Sequence, residues 1–190
     1  MENQKVTTEL VVIGGSAGSL QVTLETIRTL KSDLKFPIVV VFHRKAQAAS
    51  ILPNLLQHFC EAEIIEIEDK AELQNGKIYI VPADYHLLFD GKTTAALDGS
   101  EKMNYSRPSI DVTFRSAAQS FGNAVVGILL SGANADGVAG LQCIKENHGR
   151  VWIQDPETAQ VDYMPKQAMQ NVAYDLIINP SDLATHINQL

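Results

Sequence analysis

Cysteine is scarce in this chain, with two in 190 residues, and one possible pair makes no disulfide framework. Cys60 and Cys143 also lack the spacing of metal ligands, so both are expected to be buried small hydrophobes. Long apolar runs are missing too. The longest, around 38–42 and 125–130, are far too short to span a bilayer, and the polar segment Met1–Glu9 contains no signal-like apolar stretch. There is no basic excess: 15 Lys and Arg stand against 22 Asp and Glu, a net charge of −7. That balance excludes a general nucleic-acid binder, though not a local basic patch. Internal repeats, low-complexity segments and dividing linkers are absent. What remains is a soluble, cytoplasmic domain spanning 1–190, with its core at about 10–183.

The composition, 45% apolar and 19% charged, is that of an ordinary globular protein. A chain of this length buries roughly 70% of its unfolded surface. Apolar runs alternate with helix-patterned segments, which predicts βαβ units around a mostly parallel sheet. Leu10–Ile13 reads as a first strand, followed by a helix over Leu20–Leu30 whose apolar residues Leu20, Leu24, Ile27 and Leu30 fall on one face. Ile38–Phe42 is apolar at every position, the mark of a strand buried on both sides. A helix is expected over Ala48–Phe59 and a strand over Ala62–Glu68. Lys77–Val81, His86–Phe89 and Thr93–Leu97 read as antiparallel, with Asp90-Gly91 as a hairpin turn. Further helices are expected over Pro108–Phe121, Gly137–Lys145, Pro165–Asn171 and Leu183–Gln189, and strands over Ala124–Leu130 and Arg150–Gln154.

The first strand runs into Gly14-Gly15-Ser16-Ala17-Gly18, a G-x-S-x-G sequence ahead of a helix. Such a turn lifts a serine hydroxyl to the carboxyl edge of a sheet, where the helix aims its unpaired N–H groups. The same glycines could cradle a phosphate, so both readings stand on the motif alone. Two other strand ends add chemistry. Ile38–Phe42 ends on His43, and Ala124–Leu130 runs into Ser131-Gly132-Ala133-Asn134-Ala135-Asp136-Gly137. A weak serine nucleophile needs a neighbouring base, and the base needs a group to fix its tautomer. Ser16, His43 and Asp136 supply one of each at the edge where α/β proteins bind ligands. Each also has a structural reading: Ser16 as a helix N-cap, His43 as a surface residue, and Asp136 as the cap of the helix that follows it.

Taken with Gly76–Leu87, Arg107-Pro108-Ser109-Ile110-Asp111, Leu130–Gly137, Gln154-Asp155-Pro156 and Met164-Pro165, these motifs resemble the catalytic domain of the chemotaxis protein-glutamate methylesterase family. The likeness runs from Val11 to about Leu183. It implies a doubly wound, Rossmann-like α/β domain of three layers, mostly parallel with an antiparallel hairpin. It also implies hydrolysis of glutamyl methyl esters on chemoreceptor helices, with release of methanol, and glutamine deamidation in some members. The family triad falls on Ser16, His43 and Asp136, and backbone N–H groups of Ala17 and Ala133 are the candidates for the oxyanion hole. Arg44, Lys45 and Met164 are candidate substrate contacts. The chemistry requires no metal or organic cofactor. The implied partners are methylated chemoreceptor helices, or another methyl-esterified protein, and a separate response regulator. Nucleic acid is not among them, and contact with a membrane would be only through the receptor.

Several positions depart from the family pattern. No receiver domain is expected ahead of the first strand. Ala17 replaces a common threonine, Ser19 and Tyr163 stand where glycine is usual, and His148-Gly149 replaces a glycine pair. Two cations, Arg44 and Lys45, follow His43; they would oppose its protonated form unless they face an acidic substrate, and a solvated basic turn is the plainer reading. His58, His86, His148 and His186 show no ligand spacing and are expected to be surface or structural residues. Trp152 is expected in or near the core. A catalytically idle scaffold is the alternative function. Nucleotide binding is disfavoured because G-x-G-x-x-G is missing and the second strand ends in His43 rather than an acid.

Overall fold

The structure is a computed structural model that describes residues 6–45 and 51–190. In chain order the elements are β1 (Leu10–Gly15), α1 (Ser19–Ile27), β2 (Ile38–Phe42), α2 (Leu52–Gln57), β3 (Ile64–Glu66), β4 (Ala71–Glu72), β5 (Ile78–Ile80), β6 (His86–Asp90) and β7 (Thr94–Asp98). They continue with α3 (Ile110–Phe121), β8 (Val125–Leu129), α4 (Val138–Glu146), β9 (Arg150–Gln154), α5 (Tyr163–Asn171), β10 (Leu176–Ile178) and α6 (Pro180–Ile187). Part of the helix expected over Ala48–Phe59 lies outside the described residues; its described portion is α2.

Seven strands form one sheet in the order β10-β9-β8-β1-β2-β5-β3, and every neighbouring pair is parallel. The chain leaves β1 for β2 on one side and returns on the other at β8. The crevice beyond the carboxyl ends of β1, β2 and β8 is therefore the switch point of a doubly wound sheet.

Alternation along the strands assigns the two faces. Leu10 and Val12 of β1, with Val39 and Val41 of β2, join the core beneath α3, α4 and α5, where Phe114, Leu141 and Ala168 are buried. Val11, Ile13, Ile38 and Val40 join the opposite core with Ile27, Leu56 and Leu183 from α1, α2 and α6. The result is three layers. At one point the layers nearly touch: a Cβ on Gly14 would lie 2.5 Å from Cγ2 of Ile110. A glycine in β1 thus lets the start of α3 press directly on the strand that carries the elbow.

The Asp90-Gly91 signal is a hairpin: Asp90 pairs with Thr94, and Gly91 takes a φ of 65°. With β4 it forms a separate three-stranded antiparallel sheet. The antiparallel expectation for Lys77–Val81 is corrected. β5 lies between β2 and β3, parallel to both, and all its residues are buried. Ile78 and Ile80 serve one core while Tyr79 serves the other, as in any two-sided parallel strand. The short strands β4 and β10 were not expected from the sequence. Trp152 is buried, edge-on to His186. Cys60 and Cys143 are free and half-buried rather than fully buried. Among the described residues no helix is long and apolar enough to cross a membrane.

Phe114 is fully buried where α3 meets the sheet. Phe114→Ala should lower the unfolding free energy by about 3–5 kcal/mol, read from urea denaturation.

Candidate active site

The elbow is set by its glycines. β1 ends at Gly15, Gly18 turns the chain at a φ of 82°, and α1 begins at Ser19. Ser16 is not the helix cap: that position is Gly18, and no side chain caps α1. The Ser16 carbonyl instead accepts hydrogen bonds from the Ser19 N–H at 3.1 Å and the Ser19 hydroxyl at 2.6 Å. Ser19, one of the departures from the family pattern, is buried and closes the turn from inside.

The loop after β8 clasps the elbow. Ser16 N–H donates to the Ser131 carbonyl at 2.9 Å. The buried Ser131 hydroxyl lies 2.7 Å from the Ala17 carbonyl and accepts from Val161 N–H at 2.9 Å. Gly132 keeps the contact close, since a Cβ there would lie 3.1 Å from Cβ of Ser16 and 2.4 Å from Cε of Met164. Met164 has no exposed surface. It supports the Gly132 loop from beneath, so the expectation that it forms a direct substrate contact is corrected. Gly132 N–H is taken by the Val161 carbonyl at 3.2 Å. Among the described residues the N–H groups of Ala17 and Ala133 donate to no protein acceptor, and both residues are exposed.

His43 follows β2 directly, and the register pairs Phe42 with Gly15, so Ser16 and His43 leave adjacent strands side by side. The His43 N–H donates to the Gly15 carbonyl at 3.3 Å. Its ring meets Asp136 through Nε2, 2.6 Å from Oδ2. An ionised carboxylate only accepts, so this contact places the proton on Nε2 and leaves Nδ1 as the basic nitrogen.

Asp136 is completely buried as a side chain, and it does not cap the helix that follows it. It folds back onto the start of α3. Oδ2 accepts from Ile110 N–H at 2.7 Å, while Oδ1 accepts from Asp111 N–H at 3.0 Å and the Ser109 hydroxyl at 2.9 Å. The Asn104 amide adds a further bond to Oδ1 at 3.0 Å. Burial pushes the Asp136 carboxyl up, but the bonds from His43, the Asp111 and Ile110 N–H groups and Asn104 outweigh it and hold it at about 2. Capping of α4 falls to Asp111, whose Oδ1 accepts from Gly137 N–H at 2.9 Å and Gly140 N–H at 2.6 Å. Burial, and then the Asp136 charge, push the Asp111 carboxyl up.

Sequence reasoning missed this supporting layer. Asp111 and Ser109 were visible as part of a motif, but the pairing across to Asp136 is a tertiary contact with no local signal. His86, expected to be a surface or structural residue, proves structural: it is buried, Ser109 N–H donates to its Nδ1 at 3.1 Å, and Nε2 donates to the Glu101 carbonyl at 2.9 Å.

The crevice beside His43 has a volume of about 480 Å³ and is bordered by Arg44, Lys45, Lys102, Tyr105 and Arg107. The Arg44 guanidinium is engaged by the Glu66 carboxylate and donates to the Val81 carbonyl at 3.2 Å. Arg107 pairs with Asp84 at 2.8 Å. Lys45 and Lys102 are exposed. Among the described residues no group of three or more His, Cys, Asp or Glu side chains is placed to hold a metal ion.

A doubly wound sheet with a serine elbow and a His–carboxylate pair at its switch point has the architecture of an α/β serine hydrolase. The family model for CheB methylesterase matches residues 11–187. The chain is 37% identical over 176 residues to the putative protein-glutamate methylesterase/protein-glutamine glutaminase of Leptospira interrogans, covering 93% of this chain and 91% of that protein. It is 34% identical over 162 residues to protein-glutamate methylesterase/protein-glutamine glutaminase 1 of Vibrio cholerae, covering 83% of this chain but 43% of that longer protein. The crystal structure of the Thermotoga maritima CheB methylesterase catalytic domain matches with a TM-score of 0.91 at 30% identity, over 97% of this chain and 99% of that one. The chain belongs to the CheB methylesterase family.

The low value of Asp136 has a stability consequence. Because folding lowers its carboxyl from 3.8 to about 2, the ionised group stabilises the fold above about pH 4, and that contribution is lost as pH falls toward 2. Asp111, shifted upward, acts in the opposite sense and offsets part of it. Wild type should lose roughly 2 kcal/mol more than Asp136→Asn between pH 5 and pH 2, measured by urea denaturation.

Proposed function

We propose that the chain is a protein-glutamate methylesterase in which Ser16 is the nucleophile, His43 the general base and acid, and Asp136 the group that orients and charge-balances His43. The observation that carries this reading is the 2.6 Å contact between His43 Nε2 and Asp136 Oδ2, beside a serine elbow on the neighbouring strand. Nδ1 of His43 takes the Ser16 hydroxyl proton as Oγ attacks the ester carbonyl. The carbonyl oxygen becomes an oxyanion, for which the N–H groups of Ala17 and Ala133, without a protein acceptor among the described residues, are the proposed donors. When the intermediate collapses, the C–O bond to the methoxy group breaks and His43 returns the proton, releasing methanol. Water, deprotonated by His43, then attacks the acyl-enzyme and frees a glutamate carboxylate and Ser16.

The same acyl-enzyme forms from glutamine with ammonia as the leaving group, and the relatives' names couple the two activities. Deamidation is therefore proposed as a second outcome at the same site. Substrates are methylated chemoreceptor helices in the cytoplasm, met at a mouth where Lys45 and Lys102 are exposed. Arg44, held by Glu66, shapes that mouth rather than reaching outward.

The test is methanol release from membranes bearing methylated chemoreceptors. Ser16→Ala should reduce it by several orders of magnitude with the fold intact, and Asp136→Asn by about 10⁴. Release by Ser16→Ala at the wild-type rate would refute the assignment.

A further inference from the structure

The segment between the hairpin and α3 carries a feature that the triad does not explain. Asn104 and Tyr105 are consecutive non-glycine residues with left-handed backbones, at φ values of 52° and 62°. The turn is closed by paired hydrogen bonds between Met103 and Ser106, at 3.1 and 2.9 Å. Tyr105 is 99% exposed, so its side chain gives nothing in return for that geometry. Such conformations are costly and persist where other contacts over-determine them. Here the contact is the Asn104 side chain. Its Nδ2 donates one hydrogen to Asp111 Oδ2 at 2.9 Å and the other to Asp136 Oδ1 at 3.0 Å.

Both N–H bonds of one neutral amide are therefore spent between two carboxylates. Two buried acids that face one amide each disfavour the other's ionised form. A proton on Asp136 would remove the negative charge that faces His43. The amide offers each carboxylate a donor and lets both remain anions. We propose that Asn104 is a positioning residue for Asp136: its bridging amide keeps both carboxylates ionised side by side and holds Oδ2 of Asp136 on His43. This rests on the assignment of Asp136 to the catalytic machinery.

The other groups facing the pair are consistent with this role. His43 approaches Asp136 from the end of β2. From α3, the Arg115 charge acts on Asp111, and Ser109 is backed by His86 of β6. From α4 come the Gly137 and Gly140 N–H groups, both directed at Asp111. Each of these serves one carboxylate, whereas the Asn104 amide serves both.

The bridging role separates from backbone strain by substitution. Asn104→Gly keeps a residue at ease at positive φ and removes only the amide. Asn104→Asp keeps a residue tolerated there and presents a third carboxylate. The primary measurement is the carboxyl ¹³C NMR titration of Asp136, assigned by the loss of its resonance in Asp136→Asn, and it requires no turnover. The titration midpoint should rise by about one pH unit or more in Asn104→Gly, and further in Asn104→Asp. In the methanol-release assay Asn104→Gly should lower kcat by about tenfold or more and leave KM unchanged. An unchanged Asp136 midpoint in Asn104→Gly overturns the proposal. So does an Asn104→Gly protein that does not fold, since Asn104 would then be a structural residue. Absence of turnover in wild type, with the midpoint shifted as expected, would count against the esterase reading and leave the bridge standing.

Discussion

One buried carboxylate at the start of one helix organises the catalytic edge of this molecule. Asp136 accepts hydrogen bonds from Ile110 and Asp111 N–H, the Ser109 hydroxyl, the Asn104 amide and His43. The first turn of α3 carries the partial positive charge of unpaired N–H groups, which makes it a natural anion site. Here the anion is supplied by the protein's own chain. The loop after β8 is thereby tied to α3, and α3 is seated on β1 through the Gly14 contact. The distance between the acid and the elbow is thus a property of the sheet and its covering helix, with little left to loop conformation.

Asp111 and Asp136 exchange duties across this junction. Each aspartate would, by sequence position, serve its own helix: Asp111 lies in the first turn of α3, and Asp136 directly precedes α4. In the fold, Asp136 takes the N–H groups of α3, and Asp111 takes those of Gly137 and Gly140 at α4. The crossed pattern locks the two helices to each other as well as capping them. It also places two acids on either side of one amide, and their values are driven apart, with Asp136 lowered and Asp111 raised. Environments that split neighbouring acids in this way are typical of functional sites.

Much of this was legible in the sequence. Ile38–Phe42 is a strand with the bounds its apolar content suggests, because a two-sided parallel strand announces itself by composition, and Arg150–Gln154 is a strand as expected. Ser16, His43 and Asp136 stand out by their shared position after such strands, a topological signal that survives without coordinates. β5 was misjudged because three residues cannot show whether one face or two are buried. The roles of Asn104, Ser109 and His86 were not readable, since each acts through a partner over 20 residues away or through a backbone N–H. Met164 was misplaced for a related reason: a motif marks proximity to a site and not whether a side chain faces it or lies beneath it.

Charge at the mouth gives the depth of Asp136 its meaning. The protein carries a net charge of −7, yet Arg44, Lys45, Lys102 and Arg107 border the crevice beside His43. Glu66 and Asp84 engage two of these cations, while the lysines are exposed. A positive mouth favours acidic ligands over basic ones. A carboxylate held at about 2 is charged throughout the range in which His43 would work, and at 2.6 Å it acts through a far lower effective dielectric than cations reaching into solvent. The exposed lysines border the crevice, while the one carboxylate that meets His43 is buried, hydrogen-bonded on both oxygens and fixed to the start of α3.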